Sequence, residues 1–246
     1  MYQKERLDSI INILKENGYV TVKYLVEKLH YSNATVNRDL NVLEGKKIIT
    51  RSYGGAELVE NTFVPLEFRY DKMKIAKRHI AKCASDLIHN GDTVFIDGST
   101  TSEGMGAFIT DKKDITVITN NMALSAYLSE YGIKVICTGG YVTEPPSMLG
   151  GDDAVSTAMK YRTDKMFFST GGVSEEGIIG SNLYRLLLET AMQNSDMCYF
   201  LIDHSKINQQ GQYILTDFGM VDGVITDYRF PDGTKEKYKD TKFYEV

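Results

Sequence analysis

The chain has 246 residues, 42% of them hydrophobic and 25% charged, with a formal net charge of −5, an ordinary globular balance that excludes disordered and fibrous classes. No apolar run approaches the roughly 18 residues of a membrane helix, and Met1-Tyr2-Gln3-Lys4-Glu5-Arg6 leads into an amphipathic pattern, not a signal-peptide core, so a cytosolic chain with no membrane partner is expected. Three scattered cysteines (Cys83, Cys137, Cys198) and four scattered histidines (His30, His79, His89, His204) leave neither a disulfide framework nor metal-ligand spacing, and no metal or cofactor is expected.

Charge divides unevenly. Residues 1–60 carry nine basic against eight acidic side chains, and the remainder 19 against 25, which mildly favours an N-terminal module facing polyanions. Leu7, Ile10, Ile11 and Leu14 recur at the spacing of one buried helical face, and Asn17-Gly18 ends that helix. Thr21 is a good cap for a second, short helix with Val22, Leu25, Val26 and Leu29 inward. After a tight turn at His30-Tyr31, Ser32 caps a third helix that runs to about Glu44 on Val36, Leu40 and Leu43. Its opposite face presents Ala34, Asn37, Arg38 and Asn41. Amide and guanidinium groups in that pattern suit base edges in the major groove and the phosphates beside them. Lys46-Lys47 follow, and Ile48–Arg51 and Ala56–Leu58 flank Tyr53-Gly54-Gly55 as a hairpin tip, or wing. Periodicity alone fits a plain helical bundle equally well. The ordered combination of cap, Arg38, basic pair and Gly-Gly wing favours a winged helix-turn-helix.

Arg6 through Leu58 closely resembles the DNA-binding domain of the deoxyribose-operon repressor (DeoR) family. That family's pattern is a Ser-x-x-Thr, then Arg-Asp-Leu, Leu-Glu, and an Arg before Gly-Gly-Ala. The chain reads Ser32-Asn33-Ala34-Thr35-Val36-Asn37-Arg38-Asp39-Leu40, Leu43-Glu44 and Arg51-Ser52-Tyr53-Gly54-Gly55-Ala56. The resemblance implies operator contacts by Ser32, Ala34, Thr35, Asn37, Arg38 and Asn41, with Lys46, Lys47, Arg51, Tyr53 and Gly54 on or near the backbone. Asn37 replaces a usual second Arg, and Tyr53 a usual His, so the operator sequence does not carry over.

A junction over residues 61–71, with Pro65, separates residues 1–60 from an expected second domain over residues 72–246. A helical pattern runs from Lys72 to His89. Short buried strands at 93–97, 115–118, 134–136, 165–168, 198–202 and 223–225 then alternate with helical stretches near 101–110, 121–131, 152–161 and 183–194. Such alternation predicts a mostly parallel sheet with helices on both faces. Ligands of open parallel sheets bind beyond the carboxyl ends of the strands. That places Asp97-Gly98-Ser99-Thr100-Thr101, Asn120, Gly139-Gly140, Gly171-Gly172 and Asp203-His204-Ser205-Lys206 at one rim. Singly, each reads as readily as a helix cap, a turn or a solvated lysine.

These residues also resemble the DeoR family's sensor domain, which has a phosphosugar-isomerase-like fold. The family's Asp-x-Gly-Thr-Thr stands here as Asp97-Gly98-Ser99-Thr100-Thr101, with Gly and Ser exchanged. Thr119-Asn120 and Asp203-His204-Ser205-Lys206 match its other motifs, and Arg69, Lys77 and Ile80-Ala81 keep its linker-helix register. The resemblance implies a repressor of sugar-metabolism genes that binds double-stranded operator DNA and is modulated by a phosphorylated sugar or related metabolite, and because one winged module offers too few base contacts for tight selective binding, a homodimer or higher homo-oligomer is expected. Asp97, Gly98, Ser99, Thr100, Thr101, Asn120, Gly139, Gly140, Gly172 and Lys206 are the implied effector residues, Lys206 being the one full positive charge expected there. Glu189 stands where the family has basic residues and is expected on a helix surface. The main alternative is a sugar-phosphate isomerase-like enzyme with a helical accessory domain. Isomerases of this fold place paired carboxylates in an Asp-Gly-Ala-Asp-Glu loop, whereas Ser169-Thr170-Gly171-Gly172-Val173-Ser174 lacks them, so no catalysis is expected. A protein-docking adaptor is the third reading.

Overall fold

The computed structural model describes residues 3–46, 48–52, 54–59, 73–144, 147–209, 211 and 213–246. The chain forms two compact units, Met1–Lys72 and Met73–Val246. The expected junction over residues 61–71 lies outside the described residues.

In the first unit, α1 (Gln3–Asn17), α2 (Val22–Leu29) and α3 (Asn33–Gly45) close on one core of Leu7, Ile10, Ile11, Leu14, Leu25, Val36, Leu40 and Leu43. Each buried aliphatic side chain of this size contributes about 1.5–3 kcal/mol. Both expected caps form: Thr21 accepts from the Tyr24 N–H and Ser32 from the Thr35 N–H. His30 takes the left-handed conformation (φ 58°) and donates its N–H to the Val26 carbonyl, which produces the turn between α2 and α3. The wing has one strand more than the sequence suggests. Beside β2 (Ile49–Ser52) and β3 (Gly55–Leu58), the short β1 (Val20–Thr21) pairs antiparallel with Gly55-Ala56. A two-residue strand carries no readable alternation.

The second unit is built on seven strands, all parallel: β4 (Thr93–Ile96), β5 (Thr116–Thr119), β6 (Lys134–Cys137), β9 (Thr163–Phe168), β12 (Ser195–Ile202), β14 (Gly223–Thr226) and β15 (Lys242–Glu245). Their spatial order is β15-β14-β12-β9-β4-β5-β6. Alternate residues of each strand face opposite ways. Val94, Ile96, Val117, Phe167 and Leu201 meet α4 (Lys74–Asp86) and α6 (Met122–Glu130), while Phe95, Ile118, Met166, Phe168 and Phe200 meet α7 (Asp152–Met159) and α8 (Arg185–Gln193). Burial on both faces is why these strands read as continuous apolar runs.

All six strands expected from the sequence are present. Smaller elements join them: α5 (Thr100–Glu103), the antiparallel pair β7 (Tyr141–Glu144) and β8 (Met148–Gly150), the antiparallel sheet β10 (Gly172–Ser174), β11 (Gly177–Ile179) and β13 (Ile214–Thr216), and α9 (Asp232–Lys237). No helix among the described residues is long and apolar enough to cross a membrane.

The strand order positions the second unit's rim. The chain lays down β4, β5 and β6 in one direction, then returns to the far side of β4 for β9, β12, β14 and β15. The direction changes between β4 and β9. At such a switch point the connections leave in opposite directions and open a crevice beyond the strand ends.

Candidate functional site

On the first unit, α3 presents Ala34, Arg38 and Asn41 to solvent, with Thr35 and Asn37 half-buried. Ser32 is committed as the cap, its Oγ 3.2 Å from the Thr35 N and 2.9 Å from the Thr35 Oγ1. Arg51, on β2, reaches across to α3. Its guanidinium donates to the Asn37 Oδ1 at 2.6 Å and to the Asn41 Oδ1. Asn37 in turn donates its Nδ2 to the Asn33 carbonyl at 2.9 Å and to the Asn33 side-chain oxygen. Lys46 is exposed at the C-terminal end of α3, and Gly54 is exposed at the turn between β2 and β3. Lys47 and Tyr53 lie outside the described residues.

Asp39, between Arg38 and Leu40, has a structural role. Its carboxylate is buried and receives Arg6 twice, from Nε at 2.7 Å and from Nη2 at 3.1 Å, with Gln3 Nε2 at 3.3 Å. This bidentate pair ties α1 to α3 and fixes the angle at which α3 is presented. The Arg-Asp-Leu spacing was visible, but the partner 33 residues away was not.

On the second unit, the switch point gathers residues from four strand ends. Asp97, after β4, is buried and donates its N–H to the Phe167 carbonyl of β9 at 3.0 Å. Burial pushes its carboxyl up to about 6, against hydrogen bonds from Ser102 and Ser99 and the positive charge of Lys206, which lower it. Ser99 caps α5: its Oγ accepts from the Ser102 N–H at 3.2 Å and lies 2.8 Å from the Asp97 Oδ1. Lys206, after β12, donates to the Ser169 Oγ at 3.0 Å and the Thr170 carbonyl at 2.8 Å, both after β9.

The expectation that Lys206 is the one cation at this rim is wrong. Lys77, on the buried face of α4, donates to the Thr100 Oγ1 at 3.0 Å. Lys77 keeps the family register in sequence, but its packing under α5 is a tertiary fact. The strand ends therefore carry two lysines, Lys77 on Thr100 after β4 and Lys206 on Ser169 and Thr170 after β9.

Asn120, after β5, donates its Nδ2 to the Leu149 carbonyl at 3.0 Å, and its main-chain carbonyl accepts from the Leu149 N–H at 2.8 Å. The β7–β8 pair is thus fastened to the end of β5. Three buried polar atoms of the described residues have no hydrogen-bond partner: Thr101 Oγ1, Asn120 Oδ1 and Ser147 Oγ. Such orphans are rare and costly in a folded protein. Gly98 lies against two of these elements. A Cβ there would come within 2.8 Å of Met148 Cγ and 3.3 Å of Asn120 Oδ1.

The remaining expected residues lie further out. Gly172 lets the Lys206 loop approach, since a Cβ on it would meet the Lys206 carbonyl at 2.8 Å. Gly139 and Gly140 follow β6, two strands from β4. Gly140 (φ +98°) packs against the Gly150 carbonyl, 2.2 Å from where its Cβ would sit, and so shapes the β7–β8 pair. Glu189 accepts from Tyr213 Oη at 2.6 Å and Arg185 Nε at 2.9 Å, and these bonds hold its carboxyl below the usual range. Its charge is therefore matched by Arg185. The end of β9 offers Ser169 and Thr170, which hold Lys206.

Comparison with known proteins matches both units. Residues 6–62 match the DeoR-like helix-turn-helix domain, and residues 72–228 match the DeoR C-terminal sensor domain. The HTH-type transcriptional repressor GlcR of Bacillus subtilis is 32% identical, covering 94% of this chain and 91% of that protein. The lactose phosphotransferase system repressor of Staphylococcus aureus is 31% identical over 99% and 98% of the two chains. The glycerol-3-phosphate regulon repressor of Escherichia coli is 28% identical over 92% of each. With a helix-turn-helix unit, a sensor unit and relatives matched nearly end to end, the chain belongs to the DeoR family of DNA-binding transcriptional regulators.

Proposed function

We propose that this regulator represses genes of carbohydrate metabolism, and that a phosphorylated small molecule at the switch point between β4 and β9 sets its affinity for operator DNA. The observation that carries the reading is the set of three buried polar atoms without a hydrogen-bond partner, on Thr101, Asn120 and Ser147, and two lysines, Lys77 and Lys206, also bond at the strand ends. Thr101 and Ser147 have hydroxyl hydrogens to give to phosphate oxygens, and the lysines match their charge. Asn120 Oδ1 can only accept, so it takes a hydroxyl of the ligand. Ser99 acts through the loop it caps, and Thr100 through Lys77. Gly98, Gly139, Gly140 and Gly172 keep the crevice open, and Asp97 braces its floor. The names of the relatives, a lactose phosphotransferase system repressor and a glycerol-3-phosphate regulon repressor, support this chemistry.

The DNA surface in this reading is α3 with the wing. Ala34, Arg38 and Asn41 face base edges. Ser32, Thr35, Lys46, Arg51 and Gly54 face the sugar-phosphate backbone, and Asn37 buttresses the helix. One such module makes too few base contacts for tight selective binding, so the chain works at least as a homodimer on paired half-sites. Light scattering at micromolar protein tests this, and a monomer with full operator affinity would sink it. Calorimetric titration with sugar phosphates and their unphosphorylated counterparts tests the effector reading. Tighter binding of an unphosphorylated compound, unaffected by Lys206→Ala, would overturn it.

A further inference from the structure

We infer that Arg51 is a specificity-determining residue that acts through Asn41, committing it to read guanine in the major groove in place of adenine. This deepens the assignment of α3 as the DNA-reading helix and rests on it. An asparagine reads adenine with both ends of its amide, the oxygen accepting from N6 and the nitrogen donating to N7. Here the oxygen ends of Asn37 and Asn41, one helical turn apart on the same face of α3, both point at the Arg51 guanidinium. A guanidinium has five donors and no acceptor. It can meet only oxygen, so the orientation of each amide is fixed by chemistry.

The two asparagines then differ. Asn37 spends its nitrogen on the Asn33 carbonyl and side chain, which leaves its amide fully engaged within the protein. Asn41 is exposed, and among the described residues its nitrogen donates to nothing. What Asn41 presents outward is an NH2 group with two donors, because its oxygen is turned inward toward Arg51. Guanine alone offers two major-groove acceptors on one base, N7 and O6. Thymine offers one, adenine's N7 sits beside a donor, and cytosine shows only a donor. Arg51 thus turns away from the groove the amide oxygen that adenine recognition requires. Its remaining N–H groups stay available to phosphate.

Selection of binding sites from a randomised duplex pool, using the full chain, tests this. The position read by Asn41 is the one whose preference disappears in Asn41→Ala. The wild-type protein should select guanine there. Arg51→Met, which keeps the apolar stem and removes every donor, frees the oxygen and should move that position toward adenine by about tenfold or more relative to guanine. Arg51→Lys, which still donates, should keep guanine. Adenine selected by the wild type overturns the inference whether or not Arg51→Met folds, as does a well-folded Arg51→Met whose preference is unchanged. Failure of the wild type to enrich any sequence would remove the DNA-reading assignment of α3 and this inference with it.

Discussion

Asp97→Asn should make the second unit more stable at neutral pH and leave it little changed in acid. Burial moves this carboxyl from 3.8 to about 6, a difference that favours the protonated form by roughly 3 kcal/mol at 1.36 kcal/mol per pH unit. The folded value lies above the unfolded one. The side chain's contribution is therefore intact below about pH 3.8 and is lost as the pH rises to about 6, after which the penalty is constant. Asparagine is neutral throughout and keeps an oxygen to accept from Ser99. The advantage of the variant should grow by about 1.4 kcal/mol between pH 5 and pH 7.5, which is a few degrees in melting temperature for a unit of this size. The chain has no tryptophan, so far-ultraviolet circular dichroism melts of wild type and variant, without effector, are the suitable assay. A stability difference independent of pH over that range, or a variant less stable than wild type at pH 7.5, would refute the account of a carboxyl held in an unfavourable burial.

Lys206→Ala and Lys77→Ala should each weaken a phosphorylated effector by about ten- to a hundredfold in calorimetry, because a charge-assisted contact to an anion is worth about 1.5–3 kcal/mol. Neither should change operator affinity without effector. Ser32→Ala removes the α3 cap and should cost about 1 kcal/mol of stability in denaturant unfolding, and an unchanged midpoint would contradict the capping role. Lys46→Ala should weaken all DNA sequences alike and reduce the dependence of log affinity on log salt by about 0.9, one phosphate contact. A loss confined to one operator sequence would instead make Lys46 a base reader.

What the sequence reveals is what is local or repetitive. The caps at Thr21 and Ser32 act within three residues, and the apolar sets of α1 and α3 recur with helical period, so these elements are legible. The central strands are legible for another reason: Val94-Phe95-Ile96 and Phe200-Leu201-Ile202 bury both faces and stand out as unbroken apolar runs. The β7–β8 pair and the β10-β11-β13 sheet are short and mix Gly and Thr with their apolar residues, so alternation does not mark them. The rim itself was predictable as a location, because the rule of strand ends needs only strand positions. Its chemistry was not. That Lys77 meets Thr100, that Lys206 is held by Ser169, and that Arg51 turns two amides are pairings across 23, 37 and up to 14 residues, and nothing in residue spacing specifies them.

The reversal of strand order that opens the crevice also orders the folding of the second unit. Val94 pairs on one side with Val117, close in sequence, and on the other with Lys165, beyond the whole β5–β8 segment. Loop-closure entropy makes the second pairing the slower to form. The half carrying β4, β5 and β6 should therefore gain protection first in pulsed hydrogen exchange, and the Asp97 amide, which bonds to Phe167, should gain it late. Equal protection rates for the β5 and Asp97 amides would contradict this order. On this pathway the ligand crevice closes only when the two halves of the sheet join, so a newly made chain cannot sense an effector until its sensor unit is complete.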